Sequence, residues 1–222
     1  MASAWAGEDA PMDLRAALFA IAALDWQLEG GRDARDLLEG VEAFGSFEGL
    51  PPRVALLDDG RKVRLLAPLS YISAEGLAWP VPAGVLLDGA SIPRAFWTLV
   101  GGPFEGRYRN ASIVHDHYCD IRTRPWQATH RVFHMAMRCS GVPEAKAAIL
   151  YYAVRRFGPR WPAEELVESL GTAMPAPPSD ADAATLLADA QAIFVHRLGL
   201  DAIDALADSR DRAARIGSGA TQ

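Results

Sequence analysis

Two cysteines, Cys119 and Cys139, are all that 222 residues contain, which excludes a disulfide-stapled scaffold and leaves buried free thiols as the expected state. Long apolar runs are missing too. Ala16–Leu24 falls short of the roughly 18–20 residues that a bilayer span requires, so no transmembrane segment is expected. Glu8, Asp9 and Asp13 precede that run where a signal peptide would carry basic residues, and the chain is read as cytoplasmic. Positive charge is in deficit, with 22 Lys and Arg against 28 Asp and Glu for a net charge of −6. A broad phosphate-binding surface is therefore not expected, nor a nucleic-acid partner.

What remains is ordinary core-forming material, 50% hydrophobic and 23% charged, enough for one substantial core with appended helices. Asp13 to about Glu42 carries Leu14, Ala17, Leu18 and Ile21 at helical spacing with Gly30-Gly31 as a break, the pattern of a helical hairpin. After Pro51-Pro52, two β-prone runs, Arg53–Leu57 and Lys62–Leu66, flank Asp58-Asp59-Gly60 and predict a hairpin. Leu69–Ile72 and Leu77–Val81 continue the pattern, with Pro80 and Pro82 unsuited to a central strand. Three helices follow, from about Asn110 to Asp120, from about Pro125 to Cys139, and from after Pro143 to near Gly158-Pro159. Beyond the Pro- and Ala-rich linker 173–179, one helical tail is expected from Asp180 to about Arg215. Its Leu186, Leu187, Ala190, Ile193, Phe194 and Leu198 form a stripe that must be covered, by this chain or by self-association or a protein partner.

The expected fold is α+β: a small antiparallel sheet packed with a helical module, plus N- and C-terminal helical extensions. The boundaries are 1–50 for the N-terminal extension, 51–172 for the core, and 173–222 for the linker and tail.

Chemistry concentrates between Asp88 and His134, and four of the five histidines fall within twenty residues of one another. Imidazoles carry protons or bind metals near neutral pH, and carboxylates orient them or help to hold a cation. Adjacent helical residues point about 100° apart, so His115 and Asp116 cannot share a stripe. Residues four apart do, which puts His130 beside His134 and His115 near Cys119. Packing of the two helices would let His115 or Asp116 meet His130. The catalytic candidates are His115, Asp116 and Asp88; the metal-ligand candidates are His115, Asp116, His130 and His134. The cofactor stays open between none and one divalent ion, zinc or calcium. Arg155-Arg156 reads either as a phosphate- or carboxylate-binding pair or as part of a solvated face.

Two resemblances bear on these residues. His115-Asp116-His117-Tyr118-Cys119-Asp120 is similar in local order to the active-site helix of secreted and bacterial phospholipase A2 enzymes. That resemblance implies His115 as general base on water, with Asp116 and loop carbonyls holding calcium. It departs where that family places an orienting Asp, since this chain offers His130. From about Leu57 to Trp161 the chain resembles the bacterial and phage family named domain of unknown function 1353. The carrying elements are Trp79–Gly84, Asp88-Gly-Ala-Ser-Ile-Pro-Arg94 with Phe96-Trp97, Val114-His115-Asp116 with Tyr118, and Ala153–Gly158 before Trp161. In that family an acidic residue commonly precedes the aromatic of the next helix, and here His130 stands in that place before Phe133.

The functional expectation is a hydrolase using a His-Asp centre, with or without a divalent metal, on a small-molecule or lipid substrate that the sequence leaves unnamed. One alternative is a noncatalytic bacterial or phage-derived protein-interaction module in which the cluster is structural; the other is a phospholipase A2-like lipid hydrolase.

Overall fold

The computed structural model describes residues 42–58, 62–87, 106–162 and 180–219. The expected N-terminal helical hairpin, Asp88 with its Gly-Ala-Ser-Ile-Pro-Arg run and the Pro-rich linker lie outside them.

Strand alternation decides the β layer. A 3-10 turn, Glu42–Phe44, leads into β1 (Ser46–Glu48), followed by β2 (Val54–Leu56), β3 (Val63–Leu65), β4 (Leu69–Ile72), β5 (Ala78–Val81) and β6 (Leu86–Leu87). In β3 the side chains of Val63 and Leu65 are buried and Arg64 points out; in β5 Trp79 and Val81 are buried while Ala78 and Pro80 are exposed. These period-two patterns match strands with one covered face. The expected hairpin is β2–β3, antiparallel with Val54 opposite Leu65. Among the described residues two three-stranded antiparallel sheets form instead of one, ordered β1-β4-β5 and β2-β3-β6. Pro80 sits on β5 at the edge of its sheet, where a missing N–H costs no ladder bond. The strand at 46–48 was not foreseen. Gly45 makes it possible, because its φ is +98° and a Cβ there would stand 2.1 Å from the Ile72 carbonyl oxygen.

Proline and glycine punctuate the helical module. Helix α1 (Arg109–Ile121) ends at Arg122, which takes a left-handed conformation with φ 49° and returns its N–H to the Tyr118 carbonyl. Helix α2 (Trp126–Cys139) starts directly after Pro125, and α3 (Glu144–Phe157) directly after Pro143. Glu144 in the first turn of α3 and Arg155 and Arg156 in its last turn suit the helix dipole. Helix α1 packs on β4, β5 and β6, α2 packs on α1, and α3 on α2. Tyr71, Tyr108, Phe133, Met137, Tyr151 and Tyr152 are among the largest fully buried side chains, each of the apolar ones contributing about 1.5–3 kcal/mol by leaving water. The α+β expectation holds.

The tail is two helices rather than one. Helix α4 (Asp180–His196) stops where Arg197 turns left-handed at φ 47° before Gly199, and α5 (Leu200–Gly219) follows. Both pack on α3, burying Leu186, Ala190, Ile193, Ile203 and Ala207 against the core. At least part of the predicted stripe is therefore covered within the chain. Polar contacts fix the docking. Asp204 on α5 accepts from Tyr151 Oη at 2.6 Å, Arg155 Nε at 2.9 Å and Arg131 Nη2 at 2.6 Å. Arg155 also reaches Asp208, Arg160 reaches Asp211, and Asp189 of α4 takes Arg210 and the Tyr152 hydroxyl. Burial alone would raise the Asp204 carboxyl, but the hydrogen bonds from Tyr151 and Arg131 outweigh it and hold the carboxyl below its usual range. Arg155 is thus neither on a solvated face nor open to a foreign anion, since the carboxylates it binds are the chain's own.

Candidate functional site

The α1–α2 crossing brings together three side chains with metal- or proton-binding atoms. His115 and Cys119 are one helical turn apart on α1 and share a face; His130 comes from the second turn of α2. His115 Nε2 lies 2.8 Å from His130 Nδ1. Cys119 Sγ lies 3.7 Å from His115 Nε2 and 3.9 Å from its Nδ1. The three residues each offer a ligand atom, with all three atoms within 4.8 Å of one another.

Hydrogen bonding assigns the protons. His130 Nε2 lies 3.1 Å from the carbonyl oxygen of Pro159, an atom that can only accept. His130 therefore carries its proton on Nε2, its Nδ1 is the acceptor, and His115 Nε2–H donates to it. The result is a directed chain from His115 through His130 to the backbone just after α3.

The surroundings are apolar. The His115 ring lies 4.7 Å from that of Phe133, and the His130 ring 5.5 Å from Trp126 and 6.5 Å from Trp161. Both imidazoles have no exposed surface, and Cys119 has 5%. Burial pushes the His115 imidazolium down to about 3, and burial followed by the His115 neighbour drives His130 well below its usual value. Both rings are neutral at ordinary pH. A neutral imidazole is the form that ligates a metal, whereas so weak a base is a poor proton acceptor for water at pH 7.

Gly158 closes the site from below. A Cβ at 158 would meet the Val154 carbonyl oxygen at 2.3 Å and His130 Cε1 at 3.2 Å, so the absence of a side chain lets the end of α3 settle against the ring. On the sheet side, the Arg124 guanidinium stacks 4.0 Å over Trp79 and donates to the Ala78 carbonyl at 2.7 Å, and the Tyr118 hydroxyl donates to Pro80 at 3.3 Å. Trp161 Nε1 donates to the Arg124 carbonyl at 2.9 Å. These contacts fix the α1–α2 connection and hence the ring positions.

The other sequence candidates sit elsewhere. Asp116 is buried beside His115 on α1 but is not a member of the converging group. His134 Nε2 faces Glu144 Oε1 at 3.6 Å, ion-pair rather than hydrogen-bond range, and its ring lies edge-on to Tyr151. His134 and Arg138 hold the Glu144 carboxyl below its ordinary value. His117 is buried against Tyr118, and His196 is exposed. Asp88 is outside the described residues. Cys119 is the member that sequence reasoning passed over as a packing thiol, although its four-residue spacing from His115 was the signal.

Residues 63–154 match the family described as protein of unknown function (DUF1353). The resemblance drawn from the motifs, over about residues 57–161, stands within these narrower limits. The DUF1353 segment contains all three converging residues, whereas α4 and α5 lie beyond it. Two relatives, both from Sinorhizobium fredii (strain NBRC 101917 / NGR234), carry the names uncharacterized protein y4jT and uncharacterized protein y4iH. The first is 43% identical over 130 residues, covering 58% of this chain and 39% of the relative. The second is 41% identical over 115 residues, covering 52% of this chain and 48% of the relative. The chain thus spans less than half the length of each. No solved structure matches.

Proposed function

We propose that this chain is a divalent-metal-dependent hydrolase whose centre lies at the α1–α2 crossing. The observation that carries the reading is the convergence of His115 Nε2 and His130 Nδ1 from two helices, with both rings neutral. In this reading His115 and His130 would hold the ion, which would polarise a water, with Asp116 and Asp88 as the carboxylates that the sequence puts forward to orient it. The phospholipase A2-like version gains nothing from the donor set, because nitrogen and sulfur atoms are poor ligands for calcium.

The test is hydrolysis by the full chain of a panel of esters, amides and phosphoesters, with and without prior chelation. Activity that disappears on chelation, returns with added zinc, and is lost in His115→Ala supports the reading. Activity indifferent to both treatments overturns it.

A second reading rests on the directed chain ending at the Pro159 carbonyl. In it the imidazole pair ties α1, α2 and the exit of α3 together, and the protein acts through its surfaces. A chain that neither binds metal nor hydrolyses any of the panel, and that loses stability in His130→Ala, favours it.

A further inference from the structure

We propose that Cys119 is the third protein ligand of a thiolate-containing site, His115–Cys119–His130, that takes a late first-row divalent ion of the zinc class. The proposal deepens the hydrolase reading above by naming the ion class and an additional ligand.

Distances carry it first. Two nitrogens about 2.0–2.1 Å from a tetrahedral ion lie about 3.3 Å apart, and a nitrogen and a sulfur on the same ion about 3.6 Å apart. Sγ of Cys119 already stands 3.7 Å from His115 Nε2. The two ring nitrogens, at 2.8 Å, need to separate by about half an ångström, a small rotation of either ring. Three protein ligands leave a fourth position for water, the arrangement of a catalytic zinc site rather than a closed structural one.

The supporting shell is a separate observation. Metal-bound imidazoles almost always donate their second N–H to a carbonyl or carboxylate, which fixes the tautomer and aims the other nitrogen. His130 has that partner in the Pro159 carbonyl at 3.1 Å, leaving Nδ1 directed at His115 and toward the shared centre. Phe133, Trp126 and Trp161 pack around the rings. Donor chemistry sets the ion class: two imidazoles and a thiolate suit zinc, cobalt or copper and disfavour calcium and magnesium, which take oxygen ligands.

Loading rearranges protons in a countable way. The His115 proton that now bridges the two rings moves from Nε2 to Nδ1 with no net change, and the thiol of Cys119 becomes a thiolate. One proton per ion is released to solvent.

The experiment is titration of the full chain with cobalt(II), followed by displacement with zinc. The expected result is one ion per chain, a near-ultraviolet thiolate-to-cobalt charge-transfer band, release of about one proton in weakly buffered solution, and protection of Cys119 from alkylation as mapped by mass spectrometry. Cys119→Ser should abolish the band and weaken zinc binding by more than about tenfold, while His134→Gln keeps both. Circular dichroism establishes that each variant is folded, and alkylation protection reads the same ligand in the unmutated chain. Failure of the folded chain to bind either ion, or a charge-transfer band that survives Cys119→Ser, overturns the proposal. Thiolate-ligated binding with no turnover of any substrate keeps the site and removes the hydrolase reading. Chelator-insensitive, His115-dependent hydrolysis without the band removes the site while leaving a His-Asp hydrolase that needs no metal.

Discussion

His130 lies against Gly158 so closely that the first carbon of any side chain at 158 would stand 3.2 Å from its Cε1 and 2.3 Å from the Val154 carbonyl oxygen. The ring is therefore positioned by the end of α3 as much as by its own helix.

Gly158→Ala should destabilise the protein by about 1–3 kcal/mol, because the methyl group must displace backbone as well as the ring. Urea denaturation of the variant against the parent chain measures this. A change within a few tenths of a kcal/mol would mean that α3 can end without touching His130.

His130→Ala removes a fully buried ring together with its bonds to His115 and Pro159. The expected loss is about 2–4 kcal/mol, from the cavity and from a buried His115 donor left without its acceptor. His130→Asn keeps a polar group and should recover part of that loss. Equal midpoints for the two variants would show that hydrogen bonding at this position contributes little.

Acid should weaken the fold through the same pair. Folded His115 titrates near 3 and His130 also far below the usual 6.5, so on lowering the pH below 6.5 the unfolded chain takes up protons that the folded chain refuses. Stability from this source is fully present above about pH 7 and declines as pH falls toward 3. Chemical denaturation between about pH 6 and pH 4.5 should show a steeper decline for the parent than for His115→Gln, by about one proton. Identical slopes would place His115 in contact with solvent.

Asp204→Asn leaves Arg131 and Arg155 without the carboxylate that joins α2, α3 and α5. The site is partly exposed, so the expected cost is about 1–3 kcal/mol, less than for a fully buried pair. Limited proteolysis should cut α5 earlier in the variant than in the parent, and an unchanged digestion pattern would show that Ile203, Ala207 and the Asp208 and Asp211 ion pairs dock the helix without Asp204.

Helix limits were legible because their stops are written in rigid residues. Pro125, Gly141-Val142-Pro143 and Gly158-Pro159 place the ends of α1 to α3 within a residue or two of where they occur. The β2–β3 hairpin was equally plain from Asp58-Asp59-Gly60 between two β-prone runs. Division of the strands into two sheets was not, because it depends on β1 and β6 finding β4 and β3, pairings set by tertiary packing rather than by local pattern. The break at Arg197 hid behind a side chain that seldom takes a left-handed backbone, although Gly199 marked it. In the site, four-residue spacing located His115 and Cys119 on one face. Helical periodicity alone could not say that His134 would turn away toward Glu144 and Tyr151 while His130, one turn earlier, would point at α1.

The hydrogen bond from His130 to the Pro159 carbonyl places a main-chain atom beyond α3 in direct command of an imidazole on α2. Any shift of the backbone at Pro159 is therefore felt at His130, the member of the trio bonded to it.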